Sequence, residues 1–357
     1  MSPLRKQMQV YARADTSQAL GQVATTLLPL AAIWAAMLSL VGRSLPLTML
    51  LAIPAAALML RVFVIAHDCG HGSFFPSRRA NDVLGFFLGV LSLTPYRYWQ
   101  LTHNAHHAAS GNLDRRGMGD VTTLTVLEYA ALSPMQRLGY RLLRNPVVLL
   151  GIGPILLFGI KHRFPWDLTR AHRREWTSVL ATNAALLGMG MLARSTVGVG
   201  SALKVLSVTW LLAHSVGIWI FYVQHQFEHA YWARSESWDY ERAALAGSTF
   251  LDLPPLLRWV TGSIGYHHIH HLVSRIPNYQ LAMVQQAFAT ELHPVRIGIA
   301  DGFAALRLNL WDEERGRMVS FADAVRRQTP DSLDTKDASE MFTHGSIKGR
   351  NGDANGE

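Results

Sequence analysis

Four apolar runs, each about 20 residues long, leave this chain few ways to fold in water. They lie at about residues 20–41, 45–66, 176–193 and 202–223. A bilayer core of about 30 Å takes roughly 20 residues of helix, so each run is long enough to span it. A turn at Gly42-Arg43-Ser44 separates the first two, and a Gly/Ser/Thr stretch at 195–201 separates the last two. The expected fold is therefore an all-α integral membrane protein with four transmembrane helices arranged as two hairpins. Charge agrees: 16% of the 357 residues are charged, against about 25% in a typical globular domain. Two shorter apolar stretches, 83–93 and 146–160, are broken by Gly and Pro and read as interfacial or re-entrant segments.

Eleven of the 16 histidines fall into four clusters beside these runs: His67/His71, His103/His106/His107, His225/His229 and His267/His268/His270/His271. Residues spaced i, i+3, i+4 share one helix face. His67 and His71 therefore pair, as do His225 and His229, while His103, His106 and His107 form a triple, as do His267, His270 and His271. His268 lies about 100° round the helix from His267 and is set aside. His162, His172, His214, His293 and His344 have no partner at ligand spacing. Imidazole is the commonest neutral metal ligand, and ten are more than one ion accepts, so the spacing predicts a dinuclear centre. Asp68, Asp114, Asp120 and Glu228 lie close enough in sequence to orient the rings through their second nitrogens. A structural zinc site fits poorly, because such sites favour thiolate. Cys69, two residues beyond His67, points away from the ligand face and reads as small core filling.

The single cysteine excludes an intrachain disulfide framework and an on-chain iron–sulfur cluster. Gly151-x-Gly153 and Gly198-x-Gly200 lack the context of a dinucleotide fingerprint. The net charge of +8 contains no uninterrupted basic run and does not point to nucleic acid. Twelve arginines lie between residues 67 and 175, whereas the short turns on the other side carry only Arg43, Arg194 and Lys204. The positive-inside rule then puts the long loop, both termini and all four clusters in the cytoplasm. Three parts are expected: a cytosolic N-terminal segment (1–18) with no cleaved signal peptide, a membrane domain (19–327) and a disordered tail (328–357). Tyr96-Arg97-Tyr98-Trp99 reads as an interfacial aromatic anchor.

The wording of the clusters, His-Asp-Cys-Gly-His, His-Asn-Ala-His-His-Ala and His-His-Ile-His-His-Leu, resembles the histidine boxes of the membrane-bound fatty acid desaturases. The delta-12/omega-6 branch is the nearest in form. Gly111-Asn112-Leu113-Asp114, Gly119-Asp120-Val121 and the segment from Phe221 to Glu228 support it, and the resemblance covers roughly residues 45–279. It implies a four-helix membrane fold with a cytosolic helical cap, a non-haem centre of two iron ions and O2 as co-substrate. The implied ligands are His67, His71, His103, His106, His107, His267, His270 and His271, with His225 and His229 as the additional pair. Of that pair, His229 is the firmer expected ligand, since some relatives carry asparagine at the first position. The implied partners are a membrane lipid or other acyl substrate and an external electron donor of ferredoxin or cytochrome b5 type with its reductase. Hydroxylases, epoxygenases and acetylenases share this scaffold, as do carotenoid- and sphingolipid-modifying relatives. A metal transporter would place its ligands near the bilayer midplane rather than at helix ends.

Overall fold

The computed structural model describes residues 2–328. The described residues are mostly helical, and among them four helices are long and apolar enough to cross a membrane: α1 (Thr16–Leu40), α2 (Leu45–His71), α6 (Arg173–Thr196) and α7 (Val199–His225). Between α2 and α6 lie α3 (Arg78–Leu91), α4 (Tyr96–Ala109) and α5 (Pro134–Leu143). After α7 come α8 (Tyr240–Ala246), α9 (Pro255–Val260), α10 (His267–Leu272) and α11 (Asn278–Ala287). The tail expected from 328 onward lies, beyond Gln328, outside the described residues, as does His344.

The four long helices follow the apolar runs but continue past them into polar sequence. α2 carries on for five residues beyond its apolar run and takes His67 and His71 with it. It ends at Gly72, whose φ of 66° is left-handed and whose N–H reaches the Asp68 and Cys69 carbonyls. α2 is the central helix: 61% of its apolar window is buried, against 17% for α1 and α6. It packs against α1 on one side and α7 on the other, over a core that includes Leu30, Met37, Ala55, Met59, Ile65, Val205 and Ala213. The outer faces stay apolar and uncovered, with Leu28, Leu50, Ile53, Leu187 and Leu203 exposed. A surface of this kind suits lipid rather than water.

The stretch expected to be re-entrant over 83–93 is α3, which forms a tight hairpin with α4. Its C-terminal carbonyls are captured by other elements: Trp210 Nε1 donates to Leu91 O at 2.8 Å, His214 Nε2 to Ser92 O at 3.0 Å, and Arg163 Nη2 to Leu93 O at 2.7 Å. A helix end buried away from water needs such donors. The second stretch forms two π-helical pieces, Val148–Ile152 and Ile155–Lys161, bent by 63° from α5.

A second core lies at the end of the bundle where α2 and α7 finish, among Tyr222, Leu251, Ile269, Leu272, Leu281 and Val284. The N-terminal segment packs onto this lobe: Ser2 N–H donates to Glu241, Met8 is buried, and the Tyr11 ring meets Phe288 edge-on. Two small sheets, absent from the sequence reading, brace it. β1 (Leu124–Thr125) runs parallel to β4 (Leu310–Asp312), which pairs antiparallel with β5 (Arg317–Val319). β2 (Phe250–Leu251) runs parallel to β3 (Arg296–Ile297). Strands of two or three residues are too short to leave a period-2 pattern.

The close approach inside the α3–α4 hairpin depends on Gly89, where an added Cβ would lie 2.5 Å from Thr94 O. Gly89→Ala should cost about 1–3 kcal/mol, seen as a fall of several degrees in apparent Tm in detergent. Gly188→Ala, with nothing within 4 Å, should leave Tm unchanged. Equal Tm values for the two variants would contradict the hairpin packing.

Candidate metal centre

Four separate elements deliver histidines to one place. α2 and α7 both end there, bringing His67, His71 and His225. α4 rises out of its hairpin with His103, His106 and His107 on one face, and α10 supplies His267, His270 and His271, all buried. The ligand-capable nitrogens fall into two groups, each with all its members within 4.8 Å of one another. One group is His67, His71, His103, His107 and His270, and the other is His106, His225, His267 and His271. The groups adjoin, since the rings of His107 and His271 stack at 4.2 Å between centroids.

Hydrogen bonds fix which nitrogen faces inward. A carboxylate or carbonyl oxygen only accepts, so its imidazole partner must donate. His67 Nδ1 donates to Asp68 Oδ1 at 3.0 Å, His106 Nδ1 to Asp120 Oδ1, and His225 Nδ1 to Gly247 O at 3.2 Å. The Nε2 of each of these neutral rings therefore carries a lone pair. Yet His106 Nε2 and His225 Nε2 face each other at 3.1 Å. Two acceptors at that distance have no hydrogen to share and repel unless a cation lies between them. His225 Nε2 is also 3.0 Å from His267 Nε2, and His107 Nε2 is 3.1 Å from His103 Nε2 and 3.0 Å from His270 Nε2. An imidazole nitrogen has one in-plane site and cannot serve two hydrogen bonds at once. Nitrogens each about 2.1 Å from one ion and at right angles to each other lie about 3.0 Å apart, which matches. His71 Nε2 and His271 Nε2 are buried with no partner among the described residues, as a ligand aimed at an ion would be. The residues present thus fit a metal ion in each group.

Nine of the ten expected ligands meet here, and His229 does not. α7 stops at His225, and the chain turns at Gln226, whose side chain accepts from Arg144 Nη2 at 2.7 Å and from the Thr123 hydroxyl at 3.2 Å. The i, i+4 relation needs a continuous helix, so His229 ends up exposed and outside both groups, the reverse of the expectation that favoured it over His225. The carboxylates divide in the same way. Asp68 and Asp120 hold rings, and Asp68 also accepts from the Asn278 amide at 2.6 Å. Asp114 instead accepts from the Ser235 amide and Arg234, which hold its carboxyl below the usual carboxylate range, and Glu228 pairs with Arg317 at 2.7 Å. Asp120 reaches His106 because the loop turns at Gly119, whose φ of 76° and contact with Thr102 O leave no room for a Cβ. His268, set aside on geometry, donates its Nε2–H to Gln285 Oε1 at 2.8 Å and joins neither group. Cys69 is buried, as small core filling would be.

Trp99, expected as part of the interfacial anchor, instead stacks on His103 at 4.4 Å and 18°. The signal was its i, i+4 relation to that histidine. Tyr96 and Tyr98 are not interfacial anchors: both are buried, with hydroxyls donating to Cys69 O and Asp167 Oδ1 at 2.7 and 2.6 Å.

Burial holds the imidazolium forms of His103, His107, His267, His270 and His271 well below the usual range, with neighbouring imidazoles adding to the effect. Unfolded, these rings titrate near 6.5. Below that pH the unfolded chain takes up protons that the folded chain refuses, so stability present above about pH 6.5 is lost as pH falls. The apparent Tm of metal-free protein should drop steeply from about pH 6.5 towards pH 5, and a flat profile would contradict the buried neutral rings. Asp120→Asn should weaken metal retention about 10- to 100-fold in chelator competition, while Asp114→Asn should leave it unchanged.

The fatty acid desaturase family model matches residues 43–301. A protein of Bacillus subtilis (strain 168) named fatty acid desaturase is 41% identical over 318 residues, covering 89% of this chain and 90% of the relative. A Delta(12)-oleate desaturase of Trichosanthes kirilowii is 28% identical over 63% of this chain and 64% of its own length. An sn-1 oleoyl-lipid 12-desaturase of Synechocystis sp. (strain PCC 6803) is 27% identical over 62% of each. The matched region takes in all four elements that carry the histidines, and the chain belongs to the fatty acid desaturase family, as a multi-pass membrane enzyme.

Proposed function

We propose that the chain is an O2-dependent fatty acyl desaturase that introduces a cis double bond, of the delta-12/omega-6 type, into an acyl chain. The observation that carries this reading is the pair of facing lone-pair nitrogens, His106 Nε2 and His225 Nε2, inside two adjoining groups of buried imidazoles. The ligands proposed are His67, His71, His103, His107 and His270 for one iron ion and His106, His225, His267 and His271 for the other. Iron bound there supplies oxidising power towards unactivated methylenes that side chains alone lack. The chain's own contribution is orientation and exclusion of water. Asp68, Asp120 and the Gly247 carbonyl keep the proton on Nδ1, so that Nε2 stays free.

The balance of the reaction calls for a partner. Adjacent methylenes give up two hydrogens with their electrons. Two further electrons and two protons come from outside, and O2 leaves as two waters. A ferredoxin or cytochrome b5 type donor, with its reductase, fills that role in this reading. The arginine asymmetry between the long 67–175 connection and the short turns supports a cytoplasmic site, with α1/α2 and α6/α7 as transmembrane hairpins and the lobe as their cap. The proposed substrate is an acyl chain carried on a lipid, in keeping with the name of the Synechocystis relative. A row of rings leads away from His103: Trp99, then Phe63 at 5.8 Å, then Phe158 at 6.3 Å. In this reading the row is the apolar wall along which the methylenes are counted.

Expression with suitable donors in a host fed saturated and monounsaturated fatty acids, followed by mass spectrometry of the lipids, tests the reading. A new cis double bond at the omega-6 or delta-12 position is expected with the intact chain, and none with His106→Ala or His270→Ala. A hydroxylated or epoxidised product would move the chain to the related chemistry, and full activity in either variant would refute the ligand assignment.

A further inference from the structure

Arg61 is a charged side chain inside the apolar window of α2, and only 5% of its surface is exposed. Its Nε donates to the Thr26 hydroxyl of α1 at 3.1 Å, and its guanidinium lies over the Trp259 ring of α9, 4.2 Å from the centroid. Among the described residues no carboxylate pairs with it, and no protein group accepts from Nη1 or Nη2. Unlike Nε of Arg144 and Arg163, those two nitrogens keep a small accessible surface. Arginine does not deprotonate to escape this environment.

The depth fits a particular acceptor. α2 has 27 residues and runs about 40 Å, about 10 Å longer than a bilayer core. With the excess at the His71 end, Arg61, about 15 Å of helix rise from that end, lies about 5 Å inside the hydrocarbon boundary. That is within reach of the head-group layer for a long side chain. α9 marks the same level, with Leu256, Leu257 and Trp259 exposed on its outer face as an interfacial helix would show them. Acceptors that reach this point come from the bilayer, and a phosphate matches the planar fork of a guanidinium. We propose that Arg61, backed by Thr26 and Trp259, binds the phosphodiester of an anionic phospholipid at the junction of α1, α2 and α9. The site stands apart from the reaction proposed above and does not depend on it.

Full-length protein in a mild detergent, titrated with phosphatidylglycerol and followed by native mass spectrometry, tests the site. Wild type should retain one tightly bound phosphatidylglycerol that neither diacylglycerol nor inorganic phosphate nor oleate displaces. Arg61→Gln should weaken that binding about tenfold or more, and Arg61→Lys, which keeps the charge but loses the fork and its stacking on Trp259, should weaken it less. Unchanged binding in Arg61→Gln would overturn the proposal. Displacement from wild type by oleate would make this a carboxylate site, displacement by inorganic phosphate a free-anion site, and diacylglycerol binding equally well would remove any role for the phosphate. The wild-type competitions can still overturn the proposal if Arg61→Gln fails to fold.

Discussion

Lone pairs on two imidazole nitrogens repel at 3.1 Å, and this fold holds His106 and His225 in that relation with no protein hydrogen between them. The arrangement is costly alone and becomes favourable around a cation. Much of the architecture serves it. α2 and α7 run the same way through the bundle so that both C-termini reach the site, which requires the chain to return once between them, through α6. The α3–α4 hairpin dips among the long helices and comes back carrying three histidines. The terminal lobe closes over the rings and buries them, which keeps the imidazoles neutral and ready to bind metal.

Orientation is shared unevenly among the rings. His67, His106 and His225 are each held by an oxygen acceptor on Nδ1, whereas Nδ1 of His107, His267 and His270 has no partner among the described residues. The latter three are positioned by ring packing instead, His107 against His271 and His267 against His270. Behind the second group sits Arg144, buried with no carboxylate partner among the described residues, holding Thr122 O, Leu308 O and Gln226 Oε1 and lying over the Tyr222 ring. It ties the end of α7 to the β1–β4 region, and through Gln226 it fixes where the helix stops.

Features set by period and composition were legible in the sequence. The long helices contain the apolar runs, and three of the four histidine clusters keep the face that helical spacing assigns to them. The fourth failed because helical spacing holds only where a helix continues, and α7 ends at His225 for a tertiary reason, the grip of Arg144 and Thr123 on Gln226. Nothing within ten residues of His229 announces that. The carboxylates show the same limit: Asp114 and Asp120 look alike in sequence, and the path of a loop through Gly119 decides which one reaches a histidine. Tyr96 and Tyr98 were misjudged because an aromatic beside an apolar run looks the same at a lipid interface as in a packed hairpin. Trp99 was grouped with them, although its i, i+4 spacing to His103 pointed to the site.

Family membership makes the chain a desaturase, and the geometry adds a specific claim, that nine histidines and not His229 bind two ions. Metal analysis combined with X-ray absorption of the iron-loaded protein tests it most directly. The account predicts two iron ions per chain, a nearest shell dominated by imidazole nitrogen at about 2.1 Å, and the same count and shell in His229→Ala. A single iron ion, or loss of an ion on replacing His229, would contradict it.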